Sequence, residues 1–473
     1  MPNTSQFYID GEWVNPITSE FIDVIDPSTE KPFAKLAVGS AVDVDKAVAA
    51  AKRAFPAYSR TTKEQRLEWL RALLDAYNER YDEIADAVSS EMGAPLSVAK
   101  EAQAWAGQAH LEAAIKALEA FEFVKNRGSY MLFKEAIGVA ALITPWNWPL
   151  NQIVTKVAPA LAAGCTVVLK PSEIAPISGL VFAEAVAATG LPPGVFNLVN
   201  GTGPDVGQVM AGHPDVDIIS FTGSTRAGII VAKTAADTVK RVSQELGGKS
   251  ANIILEDIDL TDAVRRGVSG VMYNSGQSCD APTRMLVPAS RHADALEIAK
   301  TAADEQKVGD PRADDTTMGP VISETQFNKI QGLIQQGIDE GATLVTGGTG
   351  RPEGLDTGYY VKPTIFGNVN NGMTVAREEI FGPVLAILPY DSVAEAIEIA
   401  NDTVYGLAGY VQGNNSAVTQ HVASNLRAGT IFVNEQGWNL DAPFGGYKQS
   451  GNGREYAEHG MGEFIEIKAV VGW

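Results

Sequence analysis

Cysteine is nearly absent from this chain: of 473 residues only Cys165 and Cys279 carry a thiol, so no disulfide framework holds the fold together. A reducing compartment, the cytosol, is the expected home. Long apolar runs are missing too. The longest, Gly138 to Ile143 and Thr166 to Leu169, have the length of buried strands, and none approaches the roughly 18 residues that would span a bilayer. Positive charge is scarce, with 37 Lys and Arg against 57 Asp and Glu. A net charge of -20 opposes binding to nucleic acid or to an anionic membrane, both of which select positive surface. The first fourteen residues carry Asp10 and Glu12 and no basic stretch followed by an apolar one, so no signal peptide is expected.

What is present is material for a large packed protein. At 50.2 kDa the chain exceeds one ordinary core, and two or three domains are expected. Residues 1–40 alternate short strand-like pieces with turns. Val44, Ala47, Val48, Ala51, Ala54 and Phe55 then mark one helix face, and a longer helix begins at the capping box Thr62-Lys63-Glu64-Gln65 and runs to Gly93 and Pro95. The segment Phe121 to Lys134 reads as a two-stranded excursion with apolar residues on both sides. An isolated hairpin is barely stable, which points to pairing with another subunit. The tail from Glu463 to Trp473 alternates like an edge strand and is expected to pair with the excursion of another subunit.

From Gly138 short apolar strands alternate with helices: Val139–Ile143, Thr166–Lys170, Val195–Val199, Asp217–Phe221 and Arg241–Gln244. In an open parallel sheet the residues after each strand meet at one edge, where ligands bind. Here those residues include Asn147, Lys170, Glu173, Gly223, Ser224 and Glu245. The turn Phe221-Thr222-Gly223-Ser224 suits a pyrophosphate at a helix N-terminus, although it lacks the full G-x-G-x-x-G pattern and a plain tight turn has the same composition. Beyond Ser250 a second α/β unit is expected, with strands near 253–255, 283–287, 343–345, 384–388 and 430–433. Cys279 stands at its start among Gly276, Gln277 and Ser278. A lone cysteine is often a buried structural residue. Small polar neighbours at a seam between two domains instead suit a nucleophile in a cleft.

Pro145-Trp146-Asn147-Trp148-Pro149, Lys170-Pro171-Ser172-Glu173, Phe221-Thr222-Gly223-Ser224, Glu245-Leu246-Gly247-Gly248-Lys249, Gly276-Gln277-Ser278-Cys279, Glu379-Ile380-Phe381-Gly382-Pro383 and Pro443-Phe444-Gly445-Gly446-Tyr447-Lys448 resemble, in order, the motifs of the NAD(P)-dependent aldehyde dehydrogenase superfamily, non-acylating branch. The resemblance runs from about Phe7 to the C-terminus. It implies an α/β fold with a Rossmann-like parallel-sheet NAD-binding domain (1–120 and 141–248), a second α/β catalytic domain (249–434) and a β-strand oligomerisation arm (121–140 and 455–473).

It further implies that Cys279 attacks the aldehyde carbon, and that the Asn147 amide and the Cys279 backbone N–H hold the oxyanion, roughly 3–4 kcal/mol per donor. Glu245 would activate water against the thioester, with Lys156 and Glu455 as a proton path to it. Trp146, Lys170, Glu173, Gly223, Ser224, Gln326, Lys329, Glu379 and Phe381 would contact the cofactor. That cofactor is NAD, since Glu173 repels a 2′-phosphate, with NADP possible because Lys170 stands beside it. Trp148, Gln152, Thr155, Tyr273, Trp438 and Phe444 would line the substrate tunnel. Their aromatic character and lack of arginine favour a neutral aromatic or medium-chain aldehyde over a dicarboxylic semialdehyde.

Asp280 departs from the family pattern: a carboxylate next to the thiol opposes its ionisation unless it points away or pairs with a cation such as Arg284, and it is expected to disfavour anionic substrates. No metal is implied, and the partners are a small-molecule aldehyde and further copies of the chain in a homodimer or homotetramer. Alternatives are a semialdehyde- or aminoaldehyde-specific enzyme, a coenzyme A-acylating relative, which Glu245 opposes, and a catalytically silent structural homologue, which the set Asn147, Glu245 and Cys279 opposes.

Overall fold

A computed structural model describes residues 2–434 and 437–472; Met1 and Trp473, at the two ends of the expected strands, lie outside the described residues. Two large sheets dominate. In the first, five parallel strands run in the order Arg241–Glu245, Ile218–Thr222, Val139–Ile143, Thr166–Lys170 and Phe196–Leu198. Phe7–Ile9 and Glu12–Val14 extend it antiparallel on one side, and Gly451–Asn452 closes the other. The strand Val139–Ile143 is buried throughout, as its unbroken Val-Ala-Ala-Leu-Ile requires when helices cover both faces. It starts ahead of residue 141, so this sheet takes the last two residues of the expected arm.

The second sheet has seven strands in the order Thr343–Thr346, Thr364–Gly367, Val384–Tyr390, Arg284–Pro288, Ala251–Ile254, Ala408–Gln412 and Thr430–Val433. All neighbours are parallel except the first pair. Thr364–Gly367 and Ala408–Gln412 are strands that periodicity did not reveal. The first is four residues between Pro363 and a glycine, and the second carries Ala408 and Gly409, poor strand formers that are accepted here because neighbours pair on both sides.

The capping box at Thr62 forms, with reciprocal contacts to Gln65, and Gly93 closes the segment at φ 75°. One helix was expected over this stretch. Two are found, Lys63–Glu79 and Tyr81–Met92, divided at Arg80, whose ψ of 11° leaves the helical region while its guanidinium binds Glu83 and Glu184.

The excursion folds as Val124–Asn126 and Tyr130–Ala136, and the tail strand Ile465–Val471 pairs antiparallel with the latter in the same chain, Ile465 opposite Ala136 and Val471 opposite Tyr130. The expectation that the tail pairs with another subunit's excursion is thereby corrected. The helix Ala457–Glu463 packs on Trp105–Ala120 and Pro149–Ala163, and Arg241 donates to the carbonyls of Glu463 and Ile465, so the tail emerges beside its own excursion. Closing a contact within one chain costs less than recruiting a second molecule.

Candidate active site

Asn147 follows the central strand of the first sheet, and Cys279 precedes a central strand of the second. The turn that carries the thiol is strained: Asn274, Ser275 and Gly276 all have positive φ, at 53°, 56° and 73°. Only glycine fits at 276, where an added Cβ would stand 2.1 Å from the backbone of Gly382. Hydrogen bonds hold the turn in place. Ser275 Oγ donates to Gly319 O at 2.8 Å, the Ile322 N–H donates to Gln277 Oε1 at 2.9 Å, and Asn147 Nδ2 donates to Gln277 O at 2.9 Å. Gln103, in a π-helical stretch over Ala99–Ala104, adds a donor to Asn147 O at 3.1 Å and another to Asn274 Oδ1 at 3.2 Å. Nothing in the sequence singled out Gln103; π-turns often mark functional positions, and this one aims an amide at two site residues.

The three residues 278–280 face two different spaces. On one side Cys279 and Asn147 share a cavity of about 130 Å3 with Trp146, Gly223, Ser224, Gln326, Lys329, Glu379 and Phe381. Seven of the expected cofactor residues therefore meet at one place. Glu379 accepts from the Gly248 N–H at 2.8 Å, Lys329 donates to the Glu379 carbonyl at 2.9 Å, and Phe381, held at φ 60°, meets Trp146 edge to face at 5.4 Å. Ser224 caps the helix Thr225–Ala235 by accepting from the Ala227 N–H. Lys170 and Glu173 lie outside this cavity wall and pair with each other at 3.0 Å.

On the other side Ser278 and Asp280 wall a cavity of about 430 Å3 lined with rings: Trp105, Trp148, Tyr273, Tyr410, Phe432 and Trp438. Trp148 stacks near Tyr273 and Trp438 at 6.2 and 5.2 Å and donates its indole N–H to Ser278 Oγ at 2.9 Å. Of the expected tunnel residues, Trp148, Tyr273 and Trp438 are on this wall, while Gln152, Thr155 and Phe444 are buried elsewhere. Gln152 faces Lys156, Thr155 bonds back to the Gln152 carbonyl, and Phe444 stacks on Tyr456 at 5.2 Å. Arg266, which is not among the expected tunnel residues, stands on the exposed part of the same wall. Sequence reading missed it, along with Trp105, Tyr410 and Phe432, since they come from two helices and two strands far apart in the chain.

Burial sets the electrostatics. It pushes the Cys279 thiol well up, and Asp280, Glu379, Glu245 and Glu455 add to the shift. These causes favour the thiol over the thiolate. Burial also raises Glu245 well above an ordinary carboxyl, with Glu455 adding repulsion, and both Glu245 oxygens lack a partner among the described residues. Behind it, buried Lys156 is bound to Glu455 and donates to Thr222 Oγ1 at 2.7 Å. Asp280 is raised by burial. The pairing with Arg284 does not occur: that guanidinium is spent on the carbonyls of Lys249, Ile399 and Ala400 and on Asn371 Oδ1.

The profile of the aldehyde dehydrogenase family matches residues 13–470. The 3-succinoylsemialdehyde-pyridine dehydrogenase of a Pseudomonas species is 54% identical, over 100% of this chain and 99% of that protein. Among solved structures, a mutant of aldehyde dehydrogenase C from Pseudomonas syringae, in complex with NAD+ and octanal, superimposes with a TM-score of 0.98 at 52% identity, covering 99% of this chain and 97% of that one. A point mutant of betaine aldehyde dehydrogenase from Staphylococcus aureus, in complex with NAD+, does so with a TM-score of 0.96 at 36% identity, covering 99% of this chain and 97% of that one.

Proposed function

The chain belongs to the aldehyde dehydrogenase family, and from that membership we propose that it oxidises neutral aromatic or medium-chain aldehydes to carboxylic acids with NAD, through Cys279. The observation that carries the reading is the position of the Cys279 turn between two cavities, one walled by cofactor-type residues and the other by aromatic rings.

Cys279 gives its proton to water in the cleft, and its sulfur bonds to the aldehyde carbon while the carbonyl π pair moves onto the oxygen. The second N–H of the Asn147 amide and the Cys279 backbone N–H face the oxygen that becomes negative. NAD, when bound, supplies the hydride acceptor. The residues fit it: Gly247 leaves room for Glu379, whose carboxylate would stand 2.5 Å from an added Cβ, and Ser224 opens a helix N-terminus for the pyrophosphate. Glu173, already held by Lys170, would face the adenosine ribose and disfavour a 2′-phosphate, which supports NAD over NADP.

Once the thioester stands on Cys279, Glu245 takes a proton from water as it attacks, and Lys156 with Glu455 passes that proton on. A carboxyl raised by burial toward the working pH suits a general base. The octanal complex of the Pseudomonas syringae enzyme and the pyridine-bearing substrate named for the Pseudomonas relative are both in keeping with an aromatic-walled entrance. Arg266 favours a second reading, an aldehyde with an acceptor group at its far end, which Asp280 opposes nearer the sulfur.

The exposed apolar side chains Val124, Ile467 and Val471 on the three-stranded sheet support a homodimer or homotetramer. Two free thiols support a cytoplasmic protein, and among the described residues no helix is long and apolar enough to cross a membrane. The test is NADH formation from NAD with octanal or benzaldehyde. The parent is expected to produce it and Cys279→Ser to lose at least about a thousandfold in rate. Equal rates would sink the reading.

A further inference from the structure

The wall of the aromatic cavity carries few charges, and their depths differ. Glu101 and Arg266 are solvent-exposed residues at the rim. Asp280 lies further in, half-buried and next in sequence to the thiol, among Trp148, Ser278 and Ala281. Its backbone is fixed where it is, since the Tyr410 hydroxyl donates to the Asp280 carbonyl at 3.1 Å. Among the described residues no Lys, Arg or His forms an ion pair with its carboxylate: Arg284 is turned to other acceptors, and Arg266 donates to Gln412 Oε1 at 2.9 Å. An uncompensated carboxylate beside the reacting atom, half-buried on a wall of aromatic rings, acts on whatever charge a substrate brings in.

Resting on the reading of this cavity as the aldehyde entrance, we propose that Asp280 makes the entrance selective by charge, admitting neutral and cationic aldehydes and turning away those whose chain carries a carboxylate. Any substrate short enough to fit between the rim and Cys279 brings its far end within several ångströms of Asp280. At that range two like charges in a partly desolvated site repel strongly enough to cost at least about tenfold in association with the transition state. A neutral chain meets only rings, and a cationic one gains both the carboxylate and the ring faces.

Alkylation of the thiol reads this without any aldehyde turnover. Iodoacetamide and iodoacetate each form a sulfur–carbon bond to Cys279, release iodide and send the thiol proton to solvent; they differ in charge. Cys165 is fully buried, so the label falls on Cys279, and peptide mass spectrometry checks it. With NAD present to fill the other approach, the ratio of the iodoacetamide rate to the iodoacetate rate is expected to be about tenfold higher for the parent than for 2-mercaptoethanol. Asp280→Asn should bring it to within about threefold of that free thiol, and any change in thiol acidity cancels in the ratio.

A parallel fall in the kcat/KM ratio of hexanal over succinic semialdehyde is expected in the same variant. A parent ratio equal to that of the free thiol, or a ratio that moves with Arg266→Ala and not with Asp280→Asn, overturns the proposal. The comparison of parent with free thiol needs no variant and stands even where Asp280→Asn fails to fold. Failure of aldehyde oxidation with the alkylation ratio intact would strike the proposed function alone.

Discussion

Asn147 and Gln277 are 130 residues apart, yet the Asn147 side-chain amide donates to the Gln277 carbonyl at 2.9 Å and so ties the end of a strand in one sheet to the turn that opens the other. One of its two N–H groups fixes the thiol loop, which leaves the second for a developing oxyanion. Asn147→Ala should therefore lower kcat by about 10²-fold or more while moving KM for the aldehyde far less. Steady-state kinetics on octanal would show it. A KM change with kcat intact would make Asn147 a binding residue only.

Glu245 is raised by burial first and by Glu455 second, so it stays protonated to a higher pH than an exposed glutamate. In the proposed role of base it works only when ionised. The rate of thioester hydrolysis should climb with pH through that raised value and then level. In Glu245→Gln a first turnover of NADH should appear as a burst followed by a stall. Rapid-mixing absorbance checks this, and a variant that turns over steadily at the parent rate would assign the base elsewhere.

Lys156 and Glu455 form a buried ion pair whose third neighbour is Thr222. Removing one member leaves the other charge buried and alone, costing about 3–5 kcal/mol. Lys156→Met and Glu455→Gln should each shift the urea midpoint strongly down. The double variant should lose less than the sum, because no orphan charge is left. Additive losses would mean the two side chains are not energetically coupled.

Glu91 is fully buried on the helix Tyr81–Met92, where its carboxylate caps the helix Ile177–Ala187 through the N–H groups of Ile177 and Ser178. Burial lifts it to about 7, against those bonds, which pull it down. The folded state thus holds this proton more tightly than the unfolded one. The contribution of Glu91 is complete below the ordinary glutamate range and is lost as pH rises to about 7, by an amount on the order of 3 kcal/mol. Between pH 5 and 8, thermal melting of Glu91→Gln should fall less steeply with pH than that of the parent. Parallel curves would contradict this.

Much of the site was legible because its residues sit in short motifs whose order along the chain matches the order of strand ends. Asn147, Gly223, Ser224, Glu379 and Phe381 reach the same cavity as Cys279. The ring-lined cavity was anticipated only in part. Trp148, Tyr273 and Trp438 are on its wall, but Gln152, Thr155 and Phe444 face a polar and aromatic interior around Lys156 and Tyr456, because the helix Pro149–Ala163 is buried along its whole length and periodicity does not say which buried face adjoins a cavity. Arg266 and Tyr410 were invisible for the opposite reason: nothing local distinguishes an arginine or tyrosine at a rim from one on any surface.

The amino-acid sequence alone determined the chemistry on offer, one reactive thiol with an amide, a carboxylate and a glycine turn, and the parallel-sheet frame, because apolar strands of fixed length and small residues at tight turns are local properties. Tertiary structure decided which side of the thiol faces rings and which faces the cofactor-type residues, and which strand the tail pairs with. It also decided that Asp280 has no counter-ion among the described residues. Those outcomes depend on side chains brought together from distant segments, whose mutual distances no local pattern encodes.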